Sequence, residues 1–166
     1  MILVNIARLS FEAGDPIIAG YPSNQWFRAD SFEFGIYRPD ETSDRKPGGA
    51  PKTIGPGTFR DVSITKQLDQ HSTLLAQFAA SGDGIGVVEV DFVDPPHVRA
   101  EAEATPYLRY SFQGCFVPAW TASATEGSHP QEQCSISFEQ MSISHWMDAE
   151  PPLLQMSWDL RKGGPA

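Results

Sequence analysis

The residues of this chain that could do chemistry are four histidines, two cysteines and a few carboxylates, and their spacing argues against a reaction centre. His71, His97, His129 and His145 are scattered, and no pair has the i, i+4 spacing of a helical metal site. Cys115 and Cys134 are too few for a disulfide framework or a closed zinc site. A cross-strand bridge between them is conceivable, but the loop that separates them does not set them directly opposite, so they read as two buried thiols. The glycine-rich GDGIG at Gly82–Gly86 follows a helical segment and precedes a strand. That is the reverse of the order a phosphate cradle needs, so it reads as a helix cap and a turn. Asp61, Glu89 and Asp91 alternate with apolar residues, which places them on a solvent or lumen face. There is no G-x-S-x-G elbow, P-loop or dinucleotide fingerprint. The expectation is a protein that is not an enzyme and needs no cofactor or metal.

Composition narrows the partners. A net charge of −9 leaves no basic patch to neutralise phosphates, which argues against nucleic acid. No apolar run approaches the ~20 residues needed to span a bilayer, so no membrane partner is expected. The opening MILVNIARLSFEAGD lacks a basic leader, and Ile2, Val4 and Ile6 alternate as in a first strand, so it does not read as a cleavable signal peptide. At 166 residues the chain reads as one domain, 1–166.

The elements that would position these side chains are mostly strands. Phe32, Phe34 and Ile36 alternate with polar residues, as do Val62 and Ile64, then Val88, Val90 and Phe92, then Leu108, Tyr110 and Phe112. Ile136 and Phe138 continue the pattern, but Met141 and Ile143 carry it one register later, which predicts a β-bulge near Gln140. The last run sets Leu154, Met156, Trp158 and Leu160 against Gln155, Ser157, Asp159 and Arg161. Ser135, Ser137, Ser142 and Ser144 fall on the outward phase, fit for a polar wall or for ordinary solvated sheet. One segment breaks the period: Leu74, Leu75, Phe78 and Ala79 share a helical face, with Ser72 or Asp69 able to cap its start and Gly82 its end. The fold class expected is mainly β: seven or eight strands and one short helix, in a closed or nearly closed antiparallel β-barrel. Leu74, Leu75 and Phe78 are the expected helix core.

Between Ile36 and Phe59 the pattern vanishes. The long loop, residues 37–58, is rich in Pro, Gly and charge, and a loop beyond ~15 residues in a compact domain is usually functional or disordered. It reads either as a solvated insertion or as an arm reaching another copy of the protein. Shorter connections at Asp94–Thr105 and Thr121–Gln133 read as solvated.

Four ordered blocks resemble the haemolysin-coregulated protein (Hcp) family, the tube protein of bacterial type VI secretion systems. ILVNIARL with WFRADSFEFGI resembles the family's first strands, and DVSITKQLDQHSTLLAQFAASG resembles the strand that leaves through a K-x-x-D turn into the sole helix. YLRYSFQGCFV with CSISFEQMSISHW resembles its long hairpin, and MSWDLRKG its closing strand. The resemblance implies a structural role: homo-hexameric rings stacked into a tube whose lumen carries effectors, with sheath and spike components as further partners. It implies assembly in the bacterial cytoplasm and then secretion without a cleavable signal peptide. The loop would bridge ring to ring, with Arg38, Asp40, Glu41, Arg45, Lys46 and Lys52 as its stacking residues. Two other readings stay open, a tail-tube protein of a phage-like contractile particle and a monomeric β-barrel that binds a small ligand.

Overall fold

The computed structural model describes residues 1–11, 15–38, 57–94, 104–146, 152 and 154–166. Its strands are β1 (Ile2–Ile6), β2 (Pro16–Ile18), β3 (Tyr21–Pro22), β4 (Trp26–Ala29), β5 (Ser31–Glu33), β6 (Ile36–Tyr37), β7 (Thr58–Phe59) and β8 (Val62–Gln67). The helix α1 (Ser72–Ser81) follows, then β9 (Gly86–Val93), β10 (Pro106–Ser123), β11 (Gln131–Ser137), β12 (Gln140–His145) and β13 (Leu154–Asp159).

All ladders are antiparallel, and the main sheet runs in the order β4-β1-β9-β10-β11-β8-β5, with β12 beside β10 and β13 beside β12. The two ends of this path, β4 and β5, are consecutive in the chain. A single stretch bent at Asp30 pairs with β1 on one side and β8 on the other, and the Asp30 N–H donates to the Thr65 carbonyl. Among the described residues no ladder joins β4 to β5, so the expected barrel is not closed by hydrogen bonds; covalent backbone crosses the seam instead.

Three details depart from the sequence reading. β5–β6 and β7–β8 form one long hairpin with a register step at Phe34–Gly35, so the long loop caps a hairpin whose base is still paired at Ile36↔Phe59. Thr121–Ser123 pair with Gln131–Gln133, which leaves a much shorter connection than the solvated loop expected there. The phase slip expected near Gln140 is present as a strand break at Phe138–Glu139 opposite Gly114 at φ +65°, but it is not a β-bulge: Gln113↔Gln140 and Phe116↔Ser137 keep one register, and the shift between β10 and β11 falls between Phe116 and Ala119. A Cβ at Gly114 would lie 2.9 Å from Glu139 Cγ, so the inward phase of both strands changes where only glycine fits.

The main core gathers Val4, Ile6, Phe27, Val62, Ile64, Leu75, Val88, Val90, Phe112 and Ile136. At one end it passes into a run of aromatic contacts, Phe34 on Phe112 and Phe112 on Phe138, with ring centroids 5.6 and 4.8 Å apart. Helix α1 covers the other end with Leu75 fully buried and Leu74 and Phe78 half-buried. Gly82 ends the helix at φ +74°, its N–H donating to Phe78 O, the left-handed cap the sequence predicts. The N-cap position is His71 rather than Ser72 or Asp69, and no side chain caps it.

Candidate assembly surface

Strand β8 and its partners present two contrasting ends. At the helix end, Val62, Ile64 and Lys66 share the inward phase, so a lysine is carried into the core with 2% of its surface exposed. On β11, Glu132 shares the inward phase of Cys134 and Ile136 and is equally enclosed. The two meet with Lys66 Nζ 2.6 Å from Glu132 Oε1 and 2.6 Å from Asp69 Oδ1. Trp120 Nε1 donates to Glu132 Oε2 at 2.6 Å, and Ser72 Oγ donates to Glu132 Oε1 at 2.8 Å. The Asp69 and His71 N–H groups donate to Ser72 Oγ and Asp69 Oδ1. Burial alone would raise the Asp69 carboxyl, but bonds from His71 and Lys66 outweigh it and hold it down at about 2. The K-x-x-D turn is thus an ion pair that docks the foot of the helix. Sequence reasoning met Lys66 only as the first residue of the K-x-x-D turn and missed Glu132, although opposite charges on the inward phase of two strands were the available signal.

The long loop, residues 37–58, begins and ends at the opposite end. Tyr37 and Ile36 are nearly half exposed, and the Arg60 guanidinium lies 5.1 Å over the Tyr37 ring. Glu33, Asp61, Ser63, Gln133 and Ser135 line a groove beside this stalk on the outer face of β5, β8 and β11. Ser137 Oγ donates to Asp61 there, and Gln133 Nε2 donates to Ser63 Oγ at 2.9 Å. Of the six loop residues singled out from sequence, Arg38 is exposed at the stalk. Asp40, Glu41, Arg45, Lys46 and Lys52 lie outside the described residues.

The outer faces are mixed. Ser135, Ser137 and Ser142 are half-buried on the polar phase, while Ser144 is buried, contrary to expectation. On β13 the regular alternation does not translate into burial: Leu154 is 67% exposed and Met156 39%. Among the described residues β13 has β12 as its one strand partner, and apart from a bridge from Asp159 to Gly164 its far side is open. Phe116 and Val87 add two further exposed apolar side chains.

Asp91 requires a correction. Sequence phase puts it on a wet face, yet it is fully buried, because β2–β3 and a second small core of Leu3, Tyr21, Trp26 and Val93 cover that side. Tyr21 Oη donates to Asp91 Oδ2 at 2.8 Å, and Arg109 holds both carboxylate oxygens at 2.6 Å. Burial, followed by the Asp91 hydrogen bond, raises the Tyr21 phenol. Glu89 is half-buried, 3.7 Å from Arg109. This cluster is fully used in holding a hairpin to a sheet and leaves no open position for a substrate.

Cys115 and Cys134 are free and buried, and burial pushes both thiols up to about 12, where little thiolate forms at neutral pH. Among the described residues no cluster of His, Cys, Asp and Glu could hold a metal ion, and no helix is long and apolar enough to cross a membrane. The gap in the core beside Leu75 and Cys134 is water-sized.

The fold has close counterparts among solved structures. A type six secretion system protein superimposes with a TM-score of 0.77 at 17% identity, covering 99% of this chain and 98% of its own. Hcp1 from Salmonella typhimurium gives 0.74 at 15% identity, with 99% and 97% covered. A type VI secretion system effector from Yersinia pestis gives 0.68 at 14% identity, with 96% and 99% covered. No curated protein matches the chain in sequence. The family described as type VI secretion system effector, Hcp, matches residues 13–145. With most of its length matched by the family and its fold shared with Hcp structures, the chain belongs to the Hcp family of type VI secretion system tube proteins.

Proposed function

We propose that this chain is the tube subunit of a type VI secretion system, assembling as homo-hexameric rings that stack around a lumen carrying effectors. Membership of the Hcp family over residues 13–145 is the observation that carries the reading. The surface agrees with it. A ring needs two different, complementary patches on each subunit, and a sheet with an open β13 margin, exposed Leu154 and Met156, and separate exposed Phe116 and Val87 supplies unlike surfaces. In this reading the sheet wraps into a nearly closed barrel, and the arm at residues 37–58 bridges ring to ring. Sheath, spike and effector proteins are its partners, and it leaves the cell by the system it builds, with no catalytic role. The aromatic interior and water-sized gap disfavour the small-ligand barrel.

Native mass spectrometry over a wide concentration range, with negative-stain microscopy, tests this. A six-subunit species and ring-shaped particles are expected. Monomer or dimer under all conditions would overturn the ring.

A further inference from the structure

The far side of β13 is met by backbone that turns back on it. Successive residues of a β-strand direct their N–H and C=O groups to opposite sides. The Asp159 N–H donates to Gly164 O at 2.8 Å, and Asp159 O accepts from the Gly163 and Gly164 N–H groups at 2.9 and 3.3 Å. Asp159 therefore faces away from β12, and by alternation so do Ser157 and Gln155. Ser157 Oγ donates to Ala166 O at 3.2 Å, so Gly163–Ala166 runs antiparallel along the far side of β13 from Asp159 to Ser157. The turn that returns it is held in place. Asp159 Oδ1 accepts from the Arg161 and Lys162 N–H groups, and Gly163 takes a φ of +66°, where a β-branched residue is strained.

Edge strands are ordinarily protected by charge or proline on the strand itself. Leu154–Trp158 reads LQMSW, with neither, and Leu154 and Met156 are exposed. The protection lies in the returning segment instead. Gly164 commits its N–H and C=O to β13, so the backbone of Pro165 points away from it, and proline has no N–H to offer a further strand.

We infer that Leu160–Ala166 is an edge guard that keeps β13 from pairing with the β13 of a second copy. Two identical uncharged edges are self-complementary about a two-fold axis. Centred on Met156, such a pairing sets Gln155 of one copy against Ser157 of the other, and the guard already lies against Ser157. The side chains of Leu154 and Met156 stay uncovered, so the heterologous contacts of a ring remain open to them. What the guard excludes is the two-fold dimer.

Met156→Cys with mild oxidation tests this, because residues that face across a non-hydrogen-bonded pair have Cα atoms about 4.5 Å apart, within disulfide reach. The substitution is made in the otherwise intact chain, in a chain lacking Gly163–Ala166, and in a full-length Gly163→Val chain. Gly163 has open space around it, so valine there acts through backbone strain alone. Cys115 and Cys134 are buried and stay silent. On non-reducing gels at equal concentration, disulfide-linked dimer should form about tenfold faster in the two released chains than in the intact one. Melting curves show which variants fold; the deletion decides where it folds, and Gly163→Val decides otherwise. Equal rates in intact and released chains, or no dimer in any, would overturn the guard. The readout joins like residues, which the heterologous contacts of a ring hold apart. A failed guard therefore leaves the ring reading standing, and a failed ring leaves the guard standing.

Discussion

The two ends of strand β8 carry similar numbers of charged and aromatic groups and use them in opposite ways. At the helix end, Lys66, Glu132, Asp69, Ser72 and Trp120 satisfy one another inside the protein, and the Lys66 ammonium also sits 5.1 Å over the Phe27 ring. At the arm end, Glu33 and Arg60 face solvent, and Tyr37 and Ile36 are left half exposed. An enclosed ion pair ties the fold together because removing either partner strands a buried charge. Exposed charges contribute little to folding and remain available for association. Adjacent stretches of one hairpin thus differ: one holds the fold together, and the other leaves its charges in solvent.

The sharpest way to break that contrast is Lys66→Met. The Glu132 carboxylate would stay buried without its cation, at a cost of about 3–5 kcal/mol. Urea denaturation should show the loss, and Lys66→Met combined with Glu132→Gln should recover part of it. A single variant as stable as wild type would mean the helix end is not the structural one. Phe78→Ala comes next. A fully buried Phe→Ala change costs about 3–5 kcal/mol, but Phe78 is half-buried under Arg8, so about 2 kcal/mol is expected by thermal melting.

The pH dependence of Asp69 gives a smaller effect of defined sign. Its carboxyl lies at about 2, below an ordinary 3.8, so the folded protein holds the ionised form more strongly than the unfolded chain does. That stability is present above pH ~3.8 and is lost as pH falls through about 2. Because the side chain is 36% exposed, solvent screening limits it to about 1 kcal/mol. Asp69→Asn should therefore be less stable than wild type at neutral pH and converge with it near pH 2; a gap that widens in acid would contradict the assignment. The smallest folding effect belongs to the arm. Replacing Glu41–Pro56 by a short Gly-Ser linker should shift stability by no more than ~0.6 kcal/mol while abolishing tubes in electron micrographs. Unfolding on replacement would erase the contrast between the two ends, and tubes that persist would move the inter-ring contact to the hairpin turn near Ala124–Pro130.

Features that depend on neighbours along the chain were legible in the residues alone. The helix at Ser72–Ser81, its Gly82 cap, the strand runs through Val62–Ile64 and Val88–Phe92, and the disturbance near Gln140 follow from side-chain period and turn chemistry, which act over a few residues. The ordered blocks likewise carried the family resemblance. Phase told which residues share a face, but not whether that face would be covered. Asp91 is buried because Tyr21, seventy positions away in sequence, closes over it. Leu154 and Met156 keep a perfect alternation and stay exposed because, among the described residues, β13 has β12 as its one strand partner. Lys66 finds Glu132 only because β8 pairs with β11 in a register that sets Lys66 opposite Glu132. Coverage, pairing and the wrapping of β4 and β5 across the seam depend on which distant segments meet, and a periodicity of two or 3.6 residues contains no information about that.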